Sequence, residues 1–229
     1  MLFLKLFSLY IMQAFLNTLS EPSTGKPRII SVEGNIGAGK STLLRKLEKN
    51  GTNGKVVFMQ EPVDQWSKIC DAEGNTILSC FYADAGKYAF PFQVLAYTSR
   101  LAAFKQVIRD HPDCEVIVCE RSLEADRFIF AEMMRDQGTM EPMLYEVYRT
   151  LYDATAHEFQ VNTVVYLETT PAKCLERIHK RDREGEDGIS LEYLTRCQTY
   201  YERWLRRVHV VRIESVDEEQ EEEQVSLDW

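Results

Sequence analysis

The 229-residue sequence predicts an α/β protein, a five-stranded parallel sheet with helices on both faces. Three observations predict it: five short, nearly continuous apolar runs, stretches of helical periodicity between them, and a glycine-rich turn directly behind the first run. Composition agrees. At 45% hydrophobic and 28% charged residues the usage is globular. A chain of this length buries roughly 70% of its unfolded surface, so it needs no disulfide or structural metal.

The first run is Arg28-Ile29-Ile30-Ser31-Val32-Glu33, and behind it stands Gly34-Asn35-Ile36-Gly37-Ala38-Gly39-Lys40-Ser41, followed by Thr42. This stretch fits G-x-x-x-x-G-K-[ST] between a strand and a helix beginning near Ser41, the setting of a phosphate-binding P-loop. The bare pattern arises by chance in about 1% of chains this long. Its glycines let backbone N–H groups wrap anionic oxygens, and the helix N-terminus adds a favourable field. Lys40 is placed to reach the β- and γ-phosphates and Ser41 to ligate Mg²⁺. A guanine-specifying NKxD and an LSGGQ-like signature are both absent, which weakens GTPase and transporter ATPase readings.

The second run, Lys55 to Met59, leads into Gln60-Glu61-Pro62-Val63-Asp64-Gln65-Trp66. A carboxylate at a strand end, with Pro62 stiffening the turn, is placed to accept a proton from an attacking hydroxyl; the alternative is a helix-capping or ion-paired surface acid. Residues 62–113 form an insertion long enough for two helices. One is read from Pro91 to Phe104, with Gln93, Ala96 and Arg100 on one face. A glutamine amide can donate to and accept from the edge of a base at once.

The third run, Glu115 to Cys119, ends in Glu120-Arg121-Ser122. Glu120 is placed to hold Mg²⁺ through water and Arg121 to stabilise the transferring phosphoryl group, while a buried Glu–Arg pair is the plainer alternative. Ser122 reads as the N-cap of a helix carrying Asp126 and Phe130 at i, i+4, and Arg100 is placed to pair with Asp126. Trp66, Phe92 and Phe130 offer aromatic walls for a base, though aromatics at helical spacing also make ordinary core. The fourth run, Thr163 to Leu167, precedes Thr169-Thr170-Pro171. Next come Arg177, Arg181 and Arg183 on a helix that breaks into the loop Glu184-Gly185-Glu186-Asp187-Gly188. Arginines beside a P-loop suit a lid that closes on phosphate; a solvated charged helix is the alternative. The fifth run is His209 to Ile213.

Taken together, Gly34–Ser41, Glu61-Pro62-Val63 with Trp66, Phe92-Gln93, Glu120-Arg121-Ser122 and the lid with Ile189 to Leu194 resemble the deoxynucleoside kinase family, the group of deoxycytidine, deoxyguanosine and mitochondrial thymidine kinases. The resemblance runs from about Arg28 to Trp204. It implies a P-loop kinase fold with an arginine-rich lid, a homodimer, and transfer of the ATP γ-phosphate, with Mg²⁺, to a deoxynucleoside 5′-hydroxyl in nucleotide salvage. By the same resemblance Glu61 acts on that hydroxyl and Arg121 holds the 5′ end. Gln93 binds the base edge, Tyr82 and Glu186 the 3′-hydroxyl, and Arg177, Arg181 and Arg183 the phosphates. Tyr82 also crowds the 2′ position, which implies deoxyribose over ribose. Ala96, Arg100 and Asp126 resemble the deoxycytidine and purine-deoxynucleoside enzymes rather than the thymidine-preferring ones. Two alternatives stay open: a nucleoside-monophosphate kinase of the thymidylate kinase kind, and a non-catalytic regulatory subunit. The acidity of Asp182 and Gly185-Glu186-Asp187 departs from a typical lid, and the chain after Trp204 is unlike the family's base-sensing end.

The formal charge of −9 argues against a nucleic-acid groove. Eight of those negative charges lie between Glu214 and Trp229 with no base among them, so residues 1–213 stand at −1. The chain divides into an extension over residues 1–26, a candidate targeting or disordered segment; a kinase domain over 27–214; and an acidic tail over 215–229. The opening MLFLKLFSLYIMQAFL is shorter than the ~20 apolar residues of a membrane span, lacks an A-x-A-like cleavage site and the arginines of a good transit peptide, and contains a second candidate start at Met12. Six cysteines without CxxC or zinc spacing predict small buried thiols in a reducing compartment, cytoplasmic or mitochondrial.

Overall fold

The computed structural model describes residues 26–49 and 54–215. Residues 1–25 of the extension and 216–229 of the acidic tail therefore lie outside the described residues, as does Met12. The five apolar runs form one parallel sheet: β1 Arg28–Glu33, β2 Val56–Met59, β3 Val116–Glu120, β4 Thr163–Glu168 and β5 Val210–Glu214, in the order β2-β3-β1-β4-β5. The path from β1 runs to one side, towards β2, and the path from β3 crosses to β4 on the other. That reversal opens a crevice beyond the carboxyl end of β1.

Both faces of the sheet are buried because the strands are apolar on both sides. The register pair Ile29 and Ile117 packs with Cys119 against Phe92, Tyr97 and Phe104. The alternate residues Ile30, Val32, Val116 and Val118 pack on the opposite face with Leu44, Cys174 and Ile178. A third cluster covers β4, where Val164 and Tyr166 meet Cys197, Tyr201 and Trp204.

The helices start where short polar side chains meet free N–H groups. Following the P-loop comes α1 Lys40–Lys49, then a single turn α2 Val63–Trp66, α3 Ile77–Ala83 and the long α4 Ala85–Asp110. Thr76 caps α3 and Asp84 caps α4. The helix read as beginning at Pro91 begins six residues earlier. Pro91 lies inside α4 despite the ~3 kcal/mol that an interior proline costs. Burial of Ala89, Phe92, Gln93, Ala96, Tyr97 and Phe104 along one side offsets that penalty.

As the sequence predicts, Ser122 caps a helix, its Oγ accepting from Ala125 N at 3.0 Å. The helix is interrupted: α5 Leu123–Ala125 widens into a π-helical segment, Asp126–Ala131, before α6 Glu132–Asp136. Such π turns gather at functional sites. The remaining helices are α7 Pro142–Thr155, α8 Pro171–Arg181, capped by Thr170 with Pro171 in its first turn, and α9 Leu191–Leu205, capped by Ser190. All six cysteines are free thiols; Cys70 is exposed, contrary to the expected burial, and the other five are buried.

Candidate active site

The glycine-rich turn forms the floor of the crevice. A Cβ on Gly34 would stand 2.8 Å from the Leu167 carbonyl oxygen, and one on Gly37 2.4 Å from that of Cys174. With φ of +147° and +80°, neither position tolerates a side chain. Asn35 is buried and donates from Nδ2 to the Leu194 carbonyl at 2.8 Å, while its Oδ1 accepts from Ile36 N at 3.0 Å. This ties the turn to α9. Ala38 is fully buried and its carbonyl accepts from Arg177 Nη1 at 3.2 Å, while Gly39 and Thr42 are placed at the start of α1.

Lys40 is 5% exposed and donates to the Asn35 carbonyl at 2.9 Å. Burial, then repulsion by Arg121, lowers its pKa to about 8 against the pull of Glu120, Glu61 and Glu33. Ser41 Oγ donates to Glu120 Oε1 at 2.8 Å. A hydroxyl and a carboxylate converging on the mouth of the turn are the kind of hard oxygen donors Mg²⁺ prefers. The two residues therefore fit the ion.

Glu61 is the centre of the facing wall. Its Oε1 accepts from Arg100 Nη2 at 2.9 Å and from Arg121 Nε at 3.1 Å. Burial alone would raise its pKa, but Arg121, then Arg100 and Lys40, outweigh it and hold the carboxyl at about 2. Arg100 does more than pair with Asp126. Besides Nε to Asp126 Oδ2 at 2.9 Å, its Nη1 donates to the Glu120 carbonyl at 2.9 Å, leaving a guanidinium with no exposed surface worth counting. Asp126 has its pKa raised, because burial outweighs Arg100.

Gln93 is buried beside this pair and donates from Nε2 to the Asp126 carbonyl at 3.0 Å and to Tyr148 Oη at 3.4 Å. Ala96, the small residue one turn on, is also buried. Trp66 meets Phe92 edge-on with ring centres 5.4 Å apart, and its Nε1 donates to Ser99 Oγ at 2.9 Å. Phe130 lies under Arg121, whose guanidinium carbon is 4.8 Å from the ring centre.

The lid is folded down over α3. Cβ atoms on Gly185 and Gly188 would stand 3.1 Å from Ser79 N and 2.8 Å from Tyr82 Cβ. Glu186 is thereby brought beside Tyr82, whose ring packs against Phe81 and Tyr193. The lid arginines divide. Arg177 reaches the P-loop, whereas Arg181 donates to both Glu186 oxygens, at 2.6 to 2.8 Å, and Arg183 reaches Glu186 at 3.5 Å.

Two participants carry no sequence signal. Glu33, fully buried at the end of β1, accepts from Ser31 Oγ, from Ser122 N and Oγ, and from Tyr201 Oη. Tyr201 in turn is hydrogen bonded to Arg121. An acid before a P-loop and a tyrosine 168 residues later share no spacing that reveals the contact.

The deoxynucleoside kinase family matches residues 30–228, nearly the whole chain. The chain belongs to that family. Its match extends past the described residues through the acidic stretch, further than motif resemblance reaches. Among relatives, deoxycytidine kinase 2 of Gallus gallus is 35% identical over 200 residues, covering 78% of this chain and 74% of its own length. Deoxycytidine kinase of Homo sapiens is 32% identical over 196 residues, covering 77% and 74%, and the putative kinase protein 029R of Invertebrate iridescent virus 3 is 35% identical over 176, covering 76% and 80%. This deoxynucleoside kinase is an ATP-dependent phosphotransferase whose fold is the P-loop kinase sheet described above. Among its described residues no helix is long and apolar enough to cross a membrane.

Proposed function

We propose that this deoxynucleoside kinase phosphorylates deoxycytidine, deoxyadenosine and deoxyguanosine in preference to thymidine, as a nucleotide-salvage enzyme using Mg²⁺ with ATP. The observation that carries the preference is the buried Arg100–Asp126 pair beside Gln93. Cytosine, adenine and guanine each carry an exocyclic amine that a carboxylate can accept from. Thymine carries no exocyclic amine: its one N–H lies between two carbonyls, which would face the Asp126 carboxylate acceptor to acceptor. Sites built around a specific hydrogen bond reject analogues lacking it strongly. Steady-state kinetics on the four deoxynucleosides, with ribonucleosides as controls, should rank thymidine lowest in kcat/KM by roughly tenfold or more. Thymidine ranking first would sink the reading.

In the proposed reaction Glu61 accepts the hydrogen bond of the 5′-hydroxyl and orients its oxygen for in-line attack. Phosphoryl transfer passes through a loose transition state, so little charge develops on the attacking oxygen and a strongly acidic carboxyl suffices as the late proton acceptor. Arg121 stabilises the phosphoryl oxygens and holds the 5′ end. Tyr82 and Glu186 bind the 3′-hydroxyl, and Trp66, Phe92 and Phe130 enclose the base. Ser41 and Glu120 would hold Mg²⁺, which would supply positive charge to offset that of the phosphates. Backbone N–H groups from Gly34 to Thr42, with Lys40, cradle the β- and γ-phosphates. Arg177 is already at this loop, and Arg181 and Arg183 reach phosphate by leaving Glu186. A monophosphate acceptor is disfavoured, because the Glu61 carboxylate at the 5′ end, ionised beside Arg100 and Arg121, would repel its phosphate.

Lys40 gives a pH dependence. Its pKa of about 8 belongs to the free enzyme. The cation that binds phosphate is fully present below that pH and lost above it, so kcat/KM for ATP should fall above about pH 8. Bound phosphate favours the protonated form, so the limb in kcat should lie higher. A kcat/KM profile flat through pH 9.5 would remove Lys40 from this role; that bound is about one and a half units past its pKa.

The homodimer also has support. On α7, Met143 and Val147 lie one turn apart and are 76% and 53% exposed, an outward apolar stripe opposite buried Tyr145 and Tyr148. Light scattering should give twice the 26.6 kDa chain mass, and a monomer at assay concentration would count against it.

A further inference from the structure

Arg121 is the one cation at the 5′ end whose backbone is strained. Its φ of +68° is left-handed, a conformation an arginine adopts only when its surroundings impose it. The surroundings can be named. Its backbone N donates to the Val32 carbonyl at 3.0 Å, and Nη1 lies 3.4 Å from the Gly34 carbonyl. Phe130 lies beneath the guanidinium, Glu61 takes Nε, and Tyr201 Oη takes Nη1.

Tyr201 is fully buried on α9, and its hydroxyl donates to Glu33 Oε2 at 3.1 Å. Glu33 is itself immovable. Its other oxygen accepts from Ser122 N at 2.8 Å and Ser122 Oγ at 2.6 Å, fixing the residue directly after Arg121. Arg121 is therefore held from two sides by one carboxylate, through the backbone of Ser122 and through the phenol of Tyr201. The phenol suits the task because a single hydroxyl accepts from the guanidinium and donates to the carboxylate at once. Burial pushes its pKa well up, so the proton stays on the phenol.

The geometry points to Tyr201 and Glu33 as positioning residues for phosphoryl transfer: they aim the Arg121 guanidinium at the transferring phosphate. This rests on the role proposed for Arg121. Both residues are enclosed by protein, so their loss should appear in kcat and not in substrate KM. Tyr201→Phe keeps the ring among Tyr166 and its neighbours and removes only the bridge. It should lower kcat by roughly tenfold, within the range for a hydrogen bond to a charged group, with both KM values unchanged. Tyr200→Phe is the control. It deletes a hydrogen bond of similar quality, 2.6 Å to Asp136 Oδ2, on the same helix but away from the site, and should leave kcat at the parental value.

A double-mutant cycle with Arg121→Lys makes the test decisive. Arg121→Lys should itself lower kcat, and adding Tyr201→Phe to it should cost nothing more. If Tyr201→Phe stays within twofold of parent, or if the two losses multiply, Tyr201 does not act through Arg121 and the inference falls. If Arg121→Lys retains parental kcat, the role of Arg121 falls and this inference with it. Glu33→Gln should likewise lower kcat with KM unchanged, and where it is too unstable to assay the Tyr201 cycle decides.

Discussion

Replacing Glu61 by glutamine is expected to lower kcat by roughly 10²–10⁴-fold, the contribution of a general base, while deoxynucleoside KM changes little. The amide oxygen can still stand where Oε1 accepts from both Arg100 and Arg121, but it offers them no charge and cannot take up the proton. Part of the loss is therefore a shift of Arg121. The variant should be assayed below its own melting transition, since two buried cations lose their shared anion. The parent carries a second signature. With a carboxyl held at about 2, Glu61 contributes no acid limb to the pH–rate profile above about pH 3. A Glu61→Gln enzyme turning over within a few-fold of the parent would refute the assignment.

Arg100→Met should destabilise the fold by about 3–5 kcal/mol, the range for removing one partner of a buried ion pair. Asp126, Glu61 and the Glu120 carbonyl all lose a donor that water cannot replace. For a chain of this size that is a fall in Tm on the order of 10 °C. Adding Asp126→Ala removes the stranded carboxylate, so the double variant should melt above Arg100→Met alone. The same pair of changes opens an apolar space where thymine carries its methyl, and thymidine kcat/KM should rise. Strictly additive stability losses would show that the pair is not coupled. No gain in thymidine turnover would show that it does not read the base.

How much of this was legible in the sequence follows from the physics of each element. The strands were, to within a residue, because a doubly covered parallel sheet needs unbroken apolar runs and little else produces them. The cap at Ser122 is legible because a cap is a local contact; those at Thr170 and Ser190 come from the structure. The start of α4 was not: Pro91 reads as a beginning, and only burial along the rest of that helix explains why the chain tolerates it in the interior. The Arg100–Asp126 pair is legible from two helix faces, but its third partner, Glu61, comes from a strand end whose distance no periodicity encodes. The family resemblance puts Arg181 and Arg183 on phosphate, and in the structure they pair with Glu186. The π turn at Asp126 and the contacts of Glu33 and Tyr201 are tertiary throughout.

The cations around the crevice are also matched in advance. Lys40, Arg100 and Arg121 stand among Glu33, Glu61, Glu120 and Asp126, three formal positive charges against four negative, nearly all out of water. Dissolved salt screens charges exposed to solvent over about 8 Å at physiological strength, and buried pairs far less. The alignment of the 5′ end is thus insulated from the ionic medium. An enzyme whose working cations stood open to solvent would tune its chemistry to the salt around it; this one leaves that sensitivity to the outer face of its lid.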